Sequence, residues 1–84
     1  MYSVGATKQA EEQIGGLPGG ALPGLLEVTV FLQVAPWNGL PFVCGRGDSP
    51  VRTRTFGGGG EGMVTYLIVE YRRTVEIVNV VWCG

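Results

Sequence analysis

The chain has 84 residues, which suffice for one folded domain over residues 1–84 and leave no room for a second. Apolar residues make up 45% of the sequence and charged residues 15%, a balance that favours a packed core over disorder. The formal net charge is only −1. The basic residues nevertheless concentrate in the second half, so a modest local cationic face is expected there.

Several common kinds of chemistry are excluded by residue usage. The chain has no histidine, which removes the commonest general base and the commonest metal ligand together. The first residues lack a cationic segment followed by an apolar stretch, and no apolar run approaches the roughly 20 residues that span a bilayer. We therefore expect a cytoplasmic protein with no membrane, metal or cofactor partner. The thiols of Cys44 and Cys83 are then expected to be reduced.

The first 20 residues predict a short strand followed by a helix. Tyr2-Ser3-Val4 alternates as a strand does. Thr7 can cap a helix, and two glutamates follow close enough to the start of that helix to interact favourably with its dipole. Glycines at 15–16 weaken the end of this helix, and the segment 18–20 terminates it. An apolar stripe at i, i+4 and i+7 consists of Ala10, Ile14 and Leu17.

The segment 21–37, ALPGLLEVTVFLQVAPW, fits two structures equally well. One helical face would comprise Leu22, Leu25, Val28, Leu32 and Ala35. One side of a strand would comprise Leu26, Val28, Val30, Leu32 and Val34, and the β-branched residues favour that alternative. The pattern leaves the choice open, and the segment 36–39 closes the element in either case.

Residues 38–50 are predicted to form a surface loop, because asparagine, glycine, proline and aspartate recur in it. The loop contains Arg46-Gly47-Asp48, the tripeptide by which many extracellular proteins engage integrins. An adhesion module that displays this tripeptide is one functional alternative. It would require an extracellular location, for which the sequence gives no signal.

The second half predicts a β-sheet. Residues 51–56 alternate, with Arg52, Arg54 and Phe56 on one side of the strand. The glycine-rich stretch 57–62 is a flexible turn, since it lacks the lysine and the following helix of a phosphate-binding loop. Residues 63–70 and 75–82 are rich in β-branched and aromatic residues and are separated at hairpin length. The first of these two is apolar on nearly both faces, as a central strand is.

This order of elements resembles the RelE/ParE toxin superfamily of bacterial type II toxin–antitoxin systems. The resemblance covers essentially the whole chain and lies in the Tyr-x-Val start, Leu17-Pro18, the APWNGLP segment at 35–41, VR…FG and GMVTYLIVE…V.I..V.W.G. It is closest to a compact actinobacterial-type subgroup. It implies an α+β fold in which two N-terminal helices pack on a mostly antiparallel sheet, in the order β-α-α-β-β-β. Residues 20–35 would then be helical.

The resemblance also implies growth inhibition and a cognate antitoxin as partner. Its ribonuclease members cut mRNA, usually on the ribosome, and place two basic residues where Arg52 and Arg54 stand here; these are the candidate catalytic residues. Such chemistry requires a base for the 2′-OH, cations for the charge that develops on phosphate and an acid for the 5′-oxygen. Met63 replaces a family arginine, and Trp82-Cys83-Gly84 offers no counterpart of the terminal His, Tyr or Arg. A gyrase poison without catalysis, or a degenerate toxin that only binds its antitoxin, are therefore alternatives.

Overall fold

The computed structural model describes residues 1–41 and 50–83. Its helices and strands follow in the order β1 (Ser3–Ala6), α1 (Lys8–Gly15), α2 (Leu22–Val34), β2 (Leu40–Pro41), β3 (Val51–Phe56), β4 (Gly62–Val69) and β5 (Thr74–Trp82). Short 3₁₀ turns occupy Gly19–Ala21, Pro36–Asn38 and Glu70–Arg72. This is the α+β order that the sequence predicted, with one additional short strand.

The strands form one sheet in the order β1-β5-β4-β3-β2. β1 runs parallel to β5, and the other neighbours are antiparallel. β4 is the central strand, as its apolar sequence predicted. The additional strand β2 lies in the region predicted to be loop, where Leu40 pairs with Thr53. A two-residue strand of this kind forms through its neighbour β3, so local sequence does not reveal it.

The first helix closes one edge of the sheet. Thr7 caps α1 by accepting a hydrogen bond from the backbone N–H of Ala10, as predicted. On its inner side, Gln13 accepts a hydrogen bond from the Val80 N–H through Oε1 and donates to Asn79 Oδ1 through Nε2. This side chain satisfies polar groups of β5 beyond the point where β1 ends.

The ambiguous segment is helical, in agreement with the resemblance and against the propensity of its β-branched residues. Three residues at i, i+3 and i+7 explain the outcome, because only a helix brings them to the same side of the element. All three belong to the buried core of the protein: Leu25, Val28 and Leu32. Leu22, which the sequence placed on the same face, is instead 48% exposed.

A register shift in the terminal hairpin explains why β5 alternates only in its first half. Thr65 of β4 pairs with Asn79, whereas the next residue, Tyr66, pairs with Ile77. Val78 is therefore one residue more in β5 than β4 has at this point of the ladder. Beyond Val78 the alternation of β5 is inverted, so the other set of positions faces the helices. The buried positions change from Val75 and Ile77 before the shift to Val80 after it.

The core lies between the helices and one face of the sheet. Its buried members are Ala10, Ala21, Leu25, Val28, Leu32, Phe56, Val64, Tyr66, Ile68, Val75, Ile77 and Val80. Tyr66 is fully buried. At one end, the rings of Phe56 and Trp82 lie 5.6 Å apart in a tilted arrangement, and Gly62 is required because a side chain there would overlap the Phe56 ring.

Among the described residues, no individual helix combines the length and the apolar character needed to cross a membrane. Residues 8–15 and 19–34 reach that length and composition only when taken together, and the chain bends by 115° between them.

Candidate functional site

The candidate site lies where β3 passes beneath α2. Antiparallel pairing places Arg52 opposite Tyr66, Arg54 opposite Val64 and Phe56 opposite Gly62. Because successive side chains of a strand point to opposite faces, both arginines lie on the sheet face that the helices cover. The sequence therefore predicted their common side correctly. Their surroundings, however, differ sharply.

Arg52 is only 5% exposed and binds the protein's own backbone. Its Nη1 donates hydrogen bonds to the carbonyl oxygens of Trp37 at 3.1 Å and Gly39 at 2.8 Å. The guanidinium carbon also lies 4.9 Å from the centre of the Trp37 ring. These contacts hold the linker between α2 and β2 against the sheet.

Arg54 is exposed and lies over an aromatic ring. Its guanidinium carbon is 3.9 Å from the ring centre of Phe31, on α2. A guanidinium that covers a ring with one face keeps its N–H groups directed outward in its plane, the arrangement in which it binds carboxylates and phosphates. Arg54 is thus the member of the predicted pair that is placed to meet a ligand from solvent.

Two small clefts meet at Arg54. One, of about 220 Å³, is lined by Gly24, Glu27, Val28, Arg54, Thr55, Phe56 and Gly57. The other, of about 230 Å³, is lined by Asn38, Gly39, Leu40, Thr53, Arg54, Thr55 and Met63. Each is smaller than the roughly 300–1,000 Å³ of pockets that enclose drug-sized ligands. They suit a phosphate group or part of an extended chain.

The sequence did not identify Glu27 as a site residue. It is the charged residue of α2, and it lines the same cleft as Arg54. The signal that could have identified it is its side of the helix. Glu27 is exposed and lies on a different side of α2 from the buried residues Leu25, Val28 and Leu32. Without knowing that the segment is a helix, that signal could not be used.

A second polar cluster lies around Glu70, beyond the C-terminal end of α2. Its Oε1 accepts hydrogen bonds from Tyr2 Oη at 2.6 Å and from Trp37 Nε1 at 2.7 Å. Its Oε2 pairs with Arg73 at 2.8 Å. The hydrogen bond from Tyr2, then that from Trp37, lowers the pKa of Glu70, and the hydrogen bond with Glu70 raises the pKa of Arg73. The cluster connects the start of the first strand, the linker and the hairpin turn through hydrogen bonds and an ion pair. Its role is therefore structural.

Tyr66 is a buried side chain with a polar end, and it lies opposite Arg52 in the sheet. Its hydroxyl donates to the Pro36 carbonyl oxygen at 2.7 Å. Burial raises the pKa of this hydroxyl, while the charges of Arg52 and Arg54 oppose part of that effect. Because Tyr66 is fully buried, it supports the linker and is not available to a ligand.

Within residues 1–41 and 50–83, no group of three or more His, Cys, Asp and Glu side chains could hold a metal ion. Cys83 is an exposed free thiol. The tripeptide Arg46-Gly47-Asp48 and Cys44 lie outside the described residues, so the predictions made for them stay predictions.

No family model and no curated protein matches the sequence. Solved structures do match the fold. The isolated Escherichia coli RelE toxin superimposes with a TM-score of 0.80 at 10% identity, covering 100% of this chain and 86% of that one. The toxin–antitoxin complex RelBE of E. coli gives 0.76 at 16% identity, with 100% and 99% covered. The archaeal RelE–RelB complex of Pyrococcus horikoshii gives 0.64 at 20% identity, with 99% and 96% covered.

The class that these similarities define is a small α+β protein in which two helices cover a mostly antiparallel sheet. Within that class, the chain has the fold of the RelE toxins over its whole length. The fold that the resemblance implied is therefore confirmed.

Proposed function

We propose that the chain is the toxin of a bacterial type II toxin–antitoxin system and inhibits growth in the cytoplasm through mRNA cleavage or a block of translation. The observation that carries this proposal is the match to E. coli RelE over 100% of the chain at a TM-score of 0.80. Three of the matching structures are complexes with RelB or a RelB peptide, which supports a cognate antitoxin as the partner of this chain.

In this proposal the two predicted arginines have different tasks. Arg54 contacts an RNA phosphate and stabilises the negative charge that develops during attack by the 2′-OH. Its exposure and its position over Phe31 support that task. Arg52 acts as a positioning residue, since its hydrogen bonds to Trp37 and Gly39 fix the linker that borders the second cleft.

Glu27 is proposed as the group that accepts the 2′-OH proton while the 2′-oxygen bonds to phosphorus. The P–O5′ bond then breaks and the leaving 5′-oxygen takes a proton from water, which gives a 2′,3′-cyclic phosphate and a free 5′-hydroxyl. A ribonucleolytic site requires a base, and the chain contains no histidine. Glu27 lines the same cleft as Arg54, so one cleft offers both a cation for the phosphate and a carboxylate for the proton. Glu27→Gln should then reduce cleavage while leaving RNA affinity largely unchanged.

Induced expression in bacteria, with and without the cognate antitoxin, tests the proposal. Growth arrest without the antitoxin, combined with new mRNA ends in primer extension, is the expected result. Arg54→Ala should abolish both effects, whereas Arg72→Ala, which removes an exposed arginine on the hairpin turn, should abolish neither. Unimpaired growth with the unaltered chain would refute a toxin, and undiminished cleavage by Arg54→Ala would remove Arg54 from the site.

A second candidate is a toxin without catalysis, which either poisons gyrase or only binds its antitoxin. The observation that favours it is the burial of Arg52, because only one arginine of the predicted pair is then exposed to a phosphate. Met63, which stands where the family carries another arginine, adds to this. Inhibited DNA supercoiling without new mRNA ends would identify a gyrase poison. Stable antitoxin binding without any growth defect would identify a degenerate toxin.

A further inference from the structure

Helix α2 is apolar on nearly every side, and one apolar side faces solvent. Its inner side is buried in the core, and Phe31 faces β3 through its contact with Arg54. The third side carries four exposed apolar residues, spaced four apart: Leu22, Leu26, Val30 and Val34, with 48%, 67%, 53% and 67% of their surface accessible. We call these four residues the outer stripe.

The outer stripe is large for an 84-residue protein. Its exposed fractions correspond to about 350–400 Å² of apolar surface. Met1, which is 90% exposed, lines a common cleft with Val34 and extends the patch to about 500 Å². A patch of that size lies in the upper half of the range that the largest apolar patches of monomeric proteins span, and such patches are often functional.

The outer stripe is self-complementary. Residues four apart form a ridge along a helix, and two such ridges pack into each other's grooves. If a second copy lies antiparallel across a twofold axis at the level of residue 28, Leu22 faces the partner's Val34 and Leu26 faces the partner's Val30. Each larger side chain then meets a smaller one, so the two helices stay at an even distance along the contact.

Charge and area are consistent with a second copy as the occupant. No lysine or arginine belongs to the helix, and its one charged residue, Glu27, lines the cleft beside Arg54. Arg73 lies at the end of the patch, in the cleft that Met1 shares with Val34. Two patches of about 500 Å² would bury about 1,000 Å², which reaches the lower limit of specific interfaces. From these observations we infer that two copies of this chain associate through the outer stripes of their α2 helices.

This dimer is independent of the proposed function. The outer stripe and the candidate site lie on different sides of α2, so association leaves Arg54 and its clefts open. A monomer that arrests growth would refute the dimer alone, and an inert dimer would refute the toxin alone.

Analytical ultracentrifugation of the purified chain tests the association. A mass of twice 8.9 kDa is expected, with dissociation on dilution across about 1–500 μM. Val30→Glu should shift the midpoint of dissociation at least tenfold towards higher concentration. Tyr71→Glu is the matched control, because Tyr71 is 87% exposed on the hairpin turn, and it should not shift the midpoint. The inference would be overturned if the chain is a monomer at the highest concentration. This includes the case in which the outer stripe becomes covered only when the antitoxin is added.

Disulfide cross-linking tests the antiparallel arrangement itself. With Cys44 and Cys83 changed to serine, a mixture of Leu26→Cys and Val30→Cys chains should form heterodimeric disulfides on oxidation. Either variant alone should cross-link at least tenfold less, because identical positions are offset by about 6 Å along the helices. Efficient cross-linking of one variant with itself, or none in the mixture, would contradict the proposed pairing even if a dimer is found.

Discussion

Replacing Arg52 by alanine should destabilise the fold far more than the same change at Arg54. The substitution removes the donor that binds the carbonyl oxygens of Trp37 and Gly39, at a position only 5% exposed. A hydrogen bond from a charged donor contributes about 1.5–3 kcal/mol, and the contact with the indole ring adds about 1 kcal/mol. Since these contributions share one group and are not additive, we expect the free energy of unfolding to fall by about 3–4 kcal/mol.

Arg54→Ala should cost much less. Arg54 is exposed, and a cation over a ring at such a site contributes about 0.5–1 kcal/mol. The whole chain is expected to be stable by about 4–12 kcal/mol, so the loss at Arg52 is a large part of the total. In thermal unfolding it would lower the Tm by at least about 12 °C.

Urea unfolding followed by tryptophan fluorescence measures both changes. Arg52→Lys is the informative control, because it keeps the charge but lacks the planar group that reaches two carbonyls, so its loss should be intermediate. Equal and small losses for Arg52→Ala and Arg54→Ala would refute the structural role of Arg52. The two arginines would then have to be reconsidered as an equivalent pair.

Three further changes test the packing of the core, the linker between α2 and β2, and the polar cluster around Glu70 at the hairpin turn. Leu32→Ala should cost about 2–5 kcal/mol because Leu32 is fully buried, whereas Leu40→Ala, at 70% exposure, should cost little; equal urea midpoints would contradict this packing. Gly39→Ala should lower the urea midpoint strongly, because a Cβ there overlaps a buried tyrosine hydroxyl; a neutral effect would show that the linker can move. Glu70→Gln should be destabilising at pH 7. The hydrogen bond from Tyr2 is the main cause that lowers the pKa of Glu70, so its stabilisation is present above the unfolded-state pKa and is lost as the pH falls through the folded-state pKa. A difference in urea midpoint that stays constant into acid would contradict this assignment.

The sequence predicted those parts of the fold that depend on local signals. Thr7 caps α1 because its hydroxyl binds a backbone group three residues away, which spacing alone reveals. The terminal hairpin follows from two β-rich segments joined by a short turn. The common side of Arg52 and Arg54 follows from strand alternation. Each of these features is specified by residues close together in the chain.

What the sequence could not predict depends on distant residues. The two sides of the almost wholly apolar helix α2 differ little in hydropathy, and its one charged residue, Glu27, distinguishes them only once the segment is known to be a helix. Leu22 was therefore assigned to the wrong side. The burial of Arg52 depends on the linker at Trp37 and Gly39, which lies 13 to 15 positions away. The shift at Val78 likewise emerges only when β5 is paired with β4. The candidate site therefore changed more than the fold did once the structure was known.

The parallel pairing of β1 with β5 has a consequence for how the protein is made. Ser3 lies beside Thr74 and Ala6 beside Ile77, so the first strand has no place in the sheet until the last strand has emerged from the ribosome. Contacts between such distant positions form late, after the large loss of chain entropy that brings them together. A nascent chain would therefore stay incompletely folded until residues 74–82 are available to pair with the first strand. If the product arrests growth, the ribosome that makes it is protected from it until β5 has joined the sheet.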